Sequence, residues 1–360
     1  MTALNGAQAI WQLTSGFFMT ARIVQTACML GVFDRLARGP STADAVASAL
    51  GADPLGVEAL LTACTAVGVL ERSDAGQYRN AAAATAFLQA DGPDSLKSTV
   101  VGAGRLYEEW SHLPSAIQAP RAPSQPDSSQ DGLRAYLDGV FSTSWPEALA
   151  FAAGHAFGGV RRVLDVGGGT GAYAIALCQR WPDLQVTLLE RASVVSAARA
   201  AVSSAGLSDR ISVQPGDYFH VSFATDYDLV LLMNVLHQEV AEDARRLVQR
   251  AAGALNPQGI LAIQDICLNP HRSGPAMAAL LGVNLFLQLR GSVHGVAELS
   301  AWLRGLGLEI LALNQHDITG STTIVARRPE RPATVAHDIP RVLSEHRTRS
   351  PQHARHSSSR

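Results

Sequence analysis

At 360 residues the chain is long enough for two domains, because a single hydrophobic core seldom grows past about 250 to 300 residues. Its 29 basic and 31 acidic side chains leave a net charge of −2, which argues against a nucleic-acid or anionic-membrane partner for the protein as a whole. No apolar run reaches the roughly 18 residues of a membrane helix, since Arg22 interrupts the N-terminal one and Asp226 and Asp228 the central one.

"MTALNGAQAIW" lacks the cationic start of a signal peptide. The four cysteines, Cys28, Cys64, Cys178 and Cys267, lie far apart with no metal-ligand spacing. They read as reduced thiols of a cytoplasmic chain that binds no metal. Residues 10 to 37, "IWQLTSGFFMTARIVQTACMLGVFDRLA", predict helix with far more apolar surface than one amphipathic stripe needs. Residues 41 to 80 then predict helix, turn, helix and short hairpin, a winged-helix outline whose first cap is Ser41 or Thr42. A DNA-reading winged helix needs cations for phosphates, and residues 41 to 70 contain neither Lys nor Arg, so a structural role is expected.

A further helical stretch around "RLYEEWSHLPSAIQ" precedes "APRAPSQPDSSQ" (119 to 130), the clearest loop in the chain. A helix from about 132 to 156 leads into alternating strands and helices. Strands are expected at 162 to 167, 184 to 190, 210 to 214, 227 to 233, 259 to 265, 308 to 314 and 321 to 327. This alternation implies a mostly parallel sheet covered by helices on both faces. From about 329 the chain turns to Arg, Ser and His with few apolar residues, and a disordered tail is expected. The expected domains are therefore 1-118, 132-328 and the tail 329-360.

"VLDVGGGTGAYAIAL" (163 to 177) is a buried strand, a glycine turn and a helix start, the arrangement that holds nucleotide-type cofactors. Gly167, Gly169 and Ala172 satisfy G-x-G-x-x-G/A, and Glu190 follows about 20 residues on, which keeps a nicotinamide dinucleotide in play. Asp165 discriminates. An anion at the end of the strand repels a diphosphate and suits a ligand carrying an ammonium and a sulfonium, which together with ribose and adenine describes S-adenosylmethionine. Glu190, ending "LQVTLLE", is placed to accept from ribose hydroxyls. Asp217 in "VQPGDYFH" is placed to accept from an adenine amino group, with Tyr218 or Phe219 stacking nearby. Three acids at successive strand ends point into one crevice, where open sheets bind ligands.

"VLDVGGGTG", "LLERASVV", "QPGDYFH" and "LVLLMNVLH" together resemble the successive motifs of class I S-adenosylmethionine-dependent methyltransferases, specifically the small-molecule O-methyltransferases that include plant caffeic acid and bacterial polyketide enzymes. The resemblance covers roughly residues 10 to 326, including the winged-helix segment "LGVFDRLARGPSTADAVASALG". It implies a Rossmann-like α/β domain on a mostly parallel seven-stranded sheet, preceded by a mainly helical dimerisation domain. It also implies a homodimer, S-adenosylmethionine as cofactor, and cofactor contacts from Asp165, Gly167, Gly169, Gly171, Glu190, Asp217, Tyr218, Phe219 and Asn234. The implied reaction methylates a hydroxyl of an aromatic or polyketide-like small molecule.

By the same resemblance His237 is the general base; Asp265, ending "GILAIQD" on the adjacent strand, is expected near enough to orient its imidazole, since paired strands lie about 4.8 Å apart. The chemistry asks for a base, because a phenol with a pKa near 10 keeps its proton at neutral pH. Two departures stand out. The family continues the histidine as His-Asp-Trp where this chain reads His237-Gln238-Glu239, and the family's second carboxylate falls near Val293 and His294. An imidazole at His294 is one substitute; weak or absent base assistance, or methylation of carbon or nitrogen, is another. A ligand-responsive winged-helix regulator is the alternative outside enzymes. The expected acceptor wall is Phe141 and Trp145 on one helix and Met277 and Asn284 on another. Asn284, an amide in an apolar helix, requires substrate or backbone as a partner.

Overall fold

The computed structural model of the chain describes residues 6–90, 92, 95–118, 130–155, 157–288, 291–315 and 320–330. The expected loop at 119 to 130 lies almost wholly, and the tail from 331 wholly, outside the described residues. Residues Met1–Pro329 form one unit and Glu330–Arg360 another.

The first apolar stretch divides into α1 (Gly6–Trp11), a π-helical turn (Gln12–Gly16) and α2 (Phe17–Met29), and Gly31, at φ +74°, breaks it before α3 (Val32–Ala37). α4 (Ala43–Leu50) starts at Thr42, whose hydroxyl accepts from the amide of Ala45, and α5 (Pro54–Ala66) starts at Asp53 with proline in its first turn. Strands β1 (Leu70–Arg72) and β2 (Tyr78–Asn80) close the expected hairpin. Val46, Leu61, Leu70 and Tyr78 bury with Phe33 in one core, the packing that makes this winged outline cohere. Helices α6 (Ala82–Phe87), α7 (Lys97–Ser111) and α8 (Leu113–Gln118) follow.

α9 (Gln130–Gly154) carries Pro146 inside it and leads into β3 (Arg162–Val166). Then come α10 (Ala172–Arg180), β4 (Gln185–Glu190), α11 (Ala192–Ser204), β5 (Ile211–Pro215), β6 (Tyr227–Met233), α12 (Ala241–Gly253), β7 (Leu255–Ile266), α13 (Ala276–Gln288), α14 (Val296–Gly305), β8 (Glu309–Gln315) and β9 (Ser321–Arg327). The seven strands are ordered β5-β4-β3-β6-β7-β9-β8, all parallel except β9. The α/β architecture read from the alternation is thus the one observed. Strand positions differ from expectation chiefly at β7, which begins at Leu255. Leu255 pairs with Tyr227 before a register shift, and Gln258, at φ +66°, bends the strand through "NPQG". A turn dipeptide that looks like a strand boundary is here a bulge inside one strand.

Both faces of the sheet are covered, so its central strands are apolar throughout: Val163, Leu229, Leu231 and Ala262 face α9 and α10, whereas Leu164, Val230, Leu232 and Leu261 face α12 and α14. The chain order reverses between β3 and β6, and this switch point opens a crevice at their carboxyl ends.

Candidate active site

The crevice is built from the turns and loops at the carboxyl ends of the strands. After β3, Gly167 takes φ +66°, and a Cβ there would stand 2.8 Å from Val235. A Cβ on Gly168 would stand 2.5 Å from the carboxylate of Asp165. Side chains at 167 or 168 would therefore fill the turn that lets the chain fold over Asp165. Above Gly169, by contrast, nothing lies within 4 Å of the Cβ position, which leaves backbone open to a ligand.

Asp165 is fully buried and neither of its oxygens has a hydrogen-bond partner. Burial, then the charge of Glu190, push its carboxyl up to about 7, offset only by an Ala174 amide too poorly placed to close a bond. A buried carboxylate without a donor is costly, and an ammonium supplies what it lacks. Glu190 is better satisfied: one oxygen accepts from the Gly169 amide at 3.0 Å and the other from the Arg191 amide at 2.8 Å. It braces the glycine turn, with lone pairs left for hydroxyls. Gly171, at φ +89°, starts α10.

Asp217 is largely committed to its own turn. Its carboxylate accepts from the Phe219 amide at 2.8 Å and pairs with His220 at 2.9 Å, and these contacts, the amide first, hold its carboxyl below the usual range. Tyr218 turns inward, its ring 3.8 Å from the Cβ position of Gly167, while Phe219 lies under the guanidinium of Arg246 at 4.3 Å. Of the two aromatics, Tyr218 flanks the crevice. Asn234, after β6, takes φ 55° and its amide donates to Gln264 at 2.6 Å.

His237 sits on one 3₁₀ turn, Leu236–Gln238, and is held on three sides. Its Nδ1 is 2.6 Å from Asp265 Oδ1, its amide donates to Asp265 Oδ2 at 3.1 Å, and its carbonyl accepts from the Ser292 amide at 3.0 Å. Asp265 accepts also from the Ile266 amide at 2.8 Å. An acceptor-only carboxylate fixes the proton on Nδ1 and leaves Nε2, which no described group bonds, as the basic atom. Burial alone lowers the pKa of this imidazole, but the charge and hydrogen bond of Asp265 outweigh it and raise the value.

His294 does not come forward as a substitute acid. It is buried, with Nε2 3.0 Å from the Leu236 carbonyl and Nδ1 3.9 Å from Glu298. Its ring meets Trp302 edge-on. Val293, where the second carboxylate was expected, is buried with Leu268, Ala278 and Leu285. Phe141 and Trp145 stack at 5.4 Å. Asn284 is partnered by side chains: its oxygen accepts from Trp110 Nε1 at 3.0 Å and its amide faces Gln288 at 3.4 Å, because α7 crosses α13 there. Met277 on the same helix is 58% exposed. Sequence reading missed Glu147, which accepts from Gln264 at 2.8 Å and Ser321 at 3.2 Å. A lone acid inside "WPEALAF" was the available signal. Tyr173, beside it, has its hydroxyl pKa raised by burial first and then by Glu147, Asp165 and Asp265.

Comparison with known proteins shows the family. A family model described as an O-methyltransferase domain matches residues 131–309, and one described as an O-methyltransferase dimerisation domain matches residues 11–90. The chain is 32% identical over 322 residues to a 3-hydroxy-5-methyl-1-naphthoate 3-O-methyltransferase of Streptomyces sahachiroi, covering 87% of this chain and 93% of that protein. It is 31% identical over 331 residues to acetylserotonin O-methyltransferase of Mus musculus molossinus, covering 86% and 85% respectively. The human N-acetylserotonin methyltransferase solved with S-adenosylmethionine shares the fold at a TM-score of 0.78 and 24% identity, over 91% of this chain and 99% of that one.

Proposed function

This chain belongs to the S-adenosylmethionine-dependent O-methyltransferase family, and from that premise we propose that its acceptor is a hydroxyl on a fused or substituted aromatic small molecule, made in a biosynthetic rather than a degradative setting. The observation that carries the proposal is the His237–Asp265 pair, which leaves a basic Nε2 beside the crevice formed at the switch point. The naphthoate hydroxyl named for the Streptomyces relative is the class of acceptor such a base serves. Incubation with S-adenosylmethionine and a panel of naphthols and hydroxynaphthoates, read by mass spectrometry for methyl ethers, tests it; methylation at carbon or nitrogen alone would count against a hydroxyl acceptor.

S-Adenosylmethionine, when bound, supplies an electrophilic methyl group on a sulfonium. The chain's residues hold and deprotonate. Asp165 would meet the ammonium, the open backbone at Gly169 would admit the amino-acid and ribose portion, Glu190 would accept from ribose hydroxyls, and Tyr218 would cover the purine. Asp217 would contribute through the lone pairs its turn leaves free, Gly167, Gly171 and Asn234 shape the walls, and Phe219 backs Tyr218 edge-on. Nε2 of His237 takes the acceptor's proton while Asp265 keeps the imidazole in the correct tautomer and stabilises the imidazolium that forms. Alignment of the acceptor carries the larger share of the barrier reduction, since displacement at a methyl group needs no covalent help from the protein. Phe141 and Trp145 wall the acceptor pocket with Met277, and Asn284 braces that wall through Trp110. His294 supports the 3₁₀ turn from behind.

Glu190→Ala is expected to weaken S-adenosylhomocysteine about tenfold or more, since it removes both a ligand acceptor and the brace on Gly169. Isothermal calorimetry checks this, and unchanged affinity would remove Glu190 from the site.

Trp11, Leu13, Phe17, Phe18, Met29 and Leu30 are exposed along α1 and α2, an apolar face that pairing with a second copy covers. The working form is a cytoplasmic homodimer with a dimerisation domain at 1-118 and a catalytic domain at 132-328. Among the described residues the last backbone pairing is that of Arg328, which exchanges hydrogen bonds with Gln258 and Gly259. A chain ending at Pro329 should therefore keep its melting temperature, dimer mass and turnover; a large loss in any of them would place 330-360 within the folded protein.

A further inference from the structure

Glu239 stands where the resemblance expects the tryptophan of His-Asp-Trp, and it is not an idle replacement. The hydroxyl of Tyr218 donates to its Oε1, joining the loop after β5 to the end of the turn that carries His237. Tyr218 is fixed at two further points. Its carbonyl accepts from Arg250 Nε at 2.9 Å, and its ring meets Phe219 edge-on at 4.8 Å. The ring thereby stands beside Gly167, at the mouth of the glycine turn. Glu239 is partly buried and has no cationic partner among the described ion pairs. A phenol donating to an ionised carboxylate makes one of the stronger hydrogen bonds available to a side chain, and it fixes the ring's plane as well as its position.

Given the cofactor assignment under Proposed function, we propose that Glu239 is a positioning residue: it holds the Tyr218 ring as the purine wall of the crevice. A planar ring locked before the ligand arrives loses less entropy on binding than a free one. The residue touches neither acceptor nor base, and its effect belongs to cofactor affinity.

Calorimetry with S-adenosylhomocysteine, and separately with adenosine, tests this on wild type, Tyr218→Phe, Glu239→Ala, Glu239→Gln and the Tyr218→Phe/Glu239→Ala double variant. Tyr218→Phe and Glu239→Ala should each weaken both ligands by about three- to tenfold, the usual reach of one hydrogen bond. The double variant should lose no more than either single one, because both remove the same bond. Glu239→Gln should recover most of the affinity, since its amide oxygen still accepts. Equal affinities across the series, losses that add, or a loss confined to S-adenosylhomocysteine would each overturn the proposal. Should Glu239→Ala fail to fold, Tyr218→Phe alone decides, because it removes only the hydroxyl. A wild-type protein that binds neither ligand would instead overturn the cofactor assignment itself.

Discussion

His237→Ala is expected to lower turnover on the true acceptor by about 10² to 10⁴ at neutral pH, with S-adenosylhomocysteine affinity almost unchanged. The residue is held by Asp265 and Ser292 and makes no described hydrogen bond to the glycine turn. Only proton removal is lost. The defect should shrink as pH rises towards the phenol's own pKa near 10, where the acceptor ionises unaided. A near-normal rate at neutral pH would sink the base assignment and leave alignment as the whole of the catalysis.

Asp265→Asn is the second large effect, of about 10² to 10⁴, for a different reason. Asp265 faces three donors, the imidazole Nδ1 and the amides of His237 and Ile266. A carboxamide keeps one acceptor oxygen and gains an N–H₂. If that N–H₂ faces Nδ1, the ring proton moves to Nε2 and the base disappears; if it faces the His237 amide, two donors meet in a buried site. The pH profile separates this from simple damage. Wild-type activity depends on the neutral imidazole, so it should climb as pH rises through a His237 pKa that Asp265 holds above the ordinary value of about 6.5. Without the carboxylate charge only the lowering effect of burial remains, and the inflection of the residual rate should move to lower pH. An inflection that stays in place would show that Asp265 does not set the basicity of His237. Linkage gives stability the opposite slope: the pair stabilises the fold fully below the unfolded-state pKa, and that contribution fades as pH rises through the raised one.

The order of strands and helices, the glycine turn and the acids at the strand ends were legible in the sequence because each is a local pattern. A strand buried on both faces must be an apolar run, as in "DLVLLM", and a chain that folds back over a carboxylate must have glycine next to it, as at Gly168. His237, on the turn after β6, was legible only through the family resemblance, and Asp265 through strand pairing, since parallel neighbours bring their carboxyl ends together.

Partners that lie far apart in the chain were not legible, because side-chain direction and the crossing of helices are settled only by packing. Asn284 shows this: its sequence setting asked for a polar partner, and only the approach of α7 made that partner Trp110. His294 carries the right atoms for acid–base chemistry, yet the turn before α14 directs it behind the 3₁₀ turn, onto the Leu236 carbonyl. Glu147 and Glu239 carry no local sign of their partners, because their donors come from β7, β9 and the loop after β5. The sequence by itself determined which elements form and which chemistry their ends can hold, through periodicity and the steric demands of turns. The tertiary structure alone decided which polar groups spend their hydrogen bonds on one another and which, like Asp165 and Nε2 of His237, are left open to a ligand, because that outcome depends on every neighbour a buried group meets.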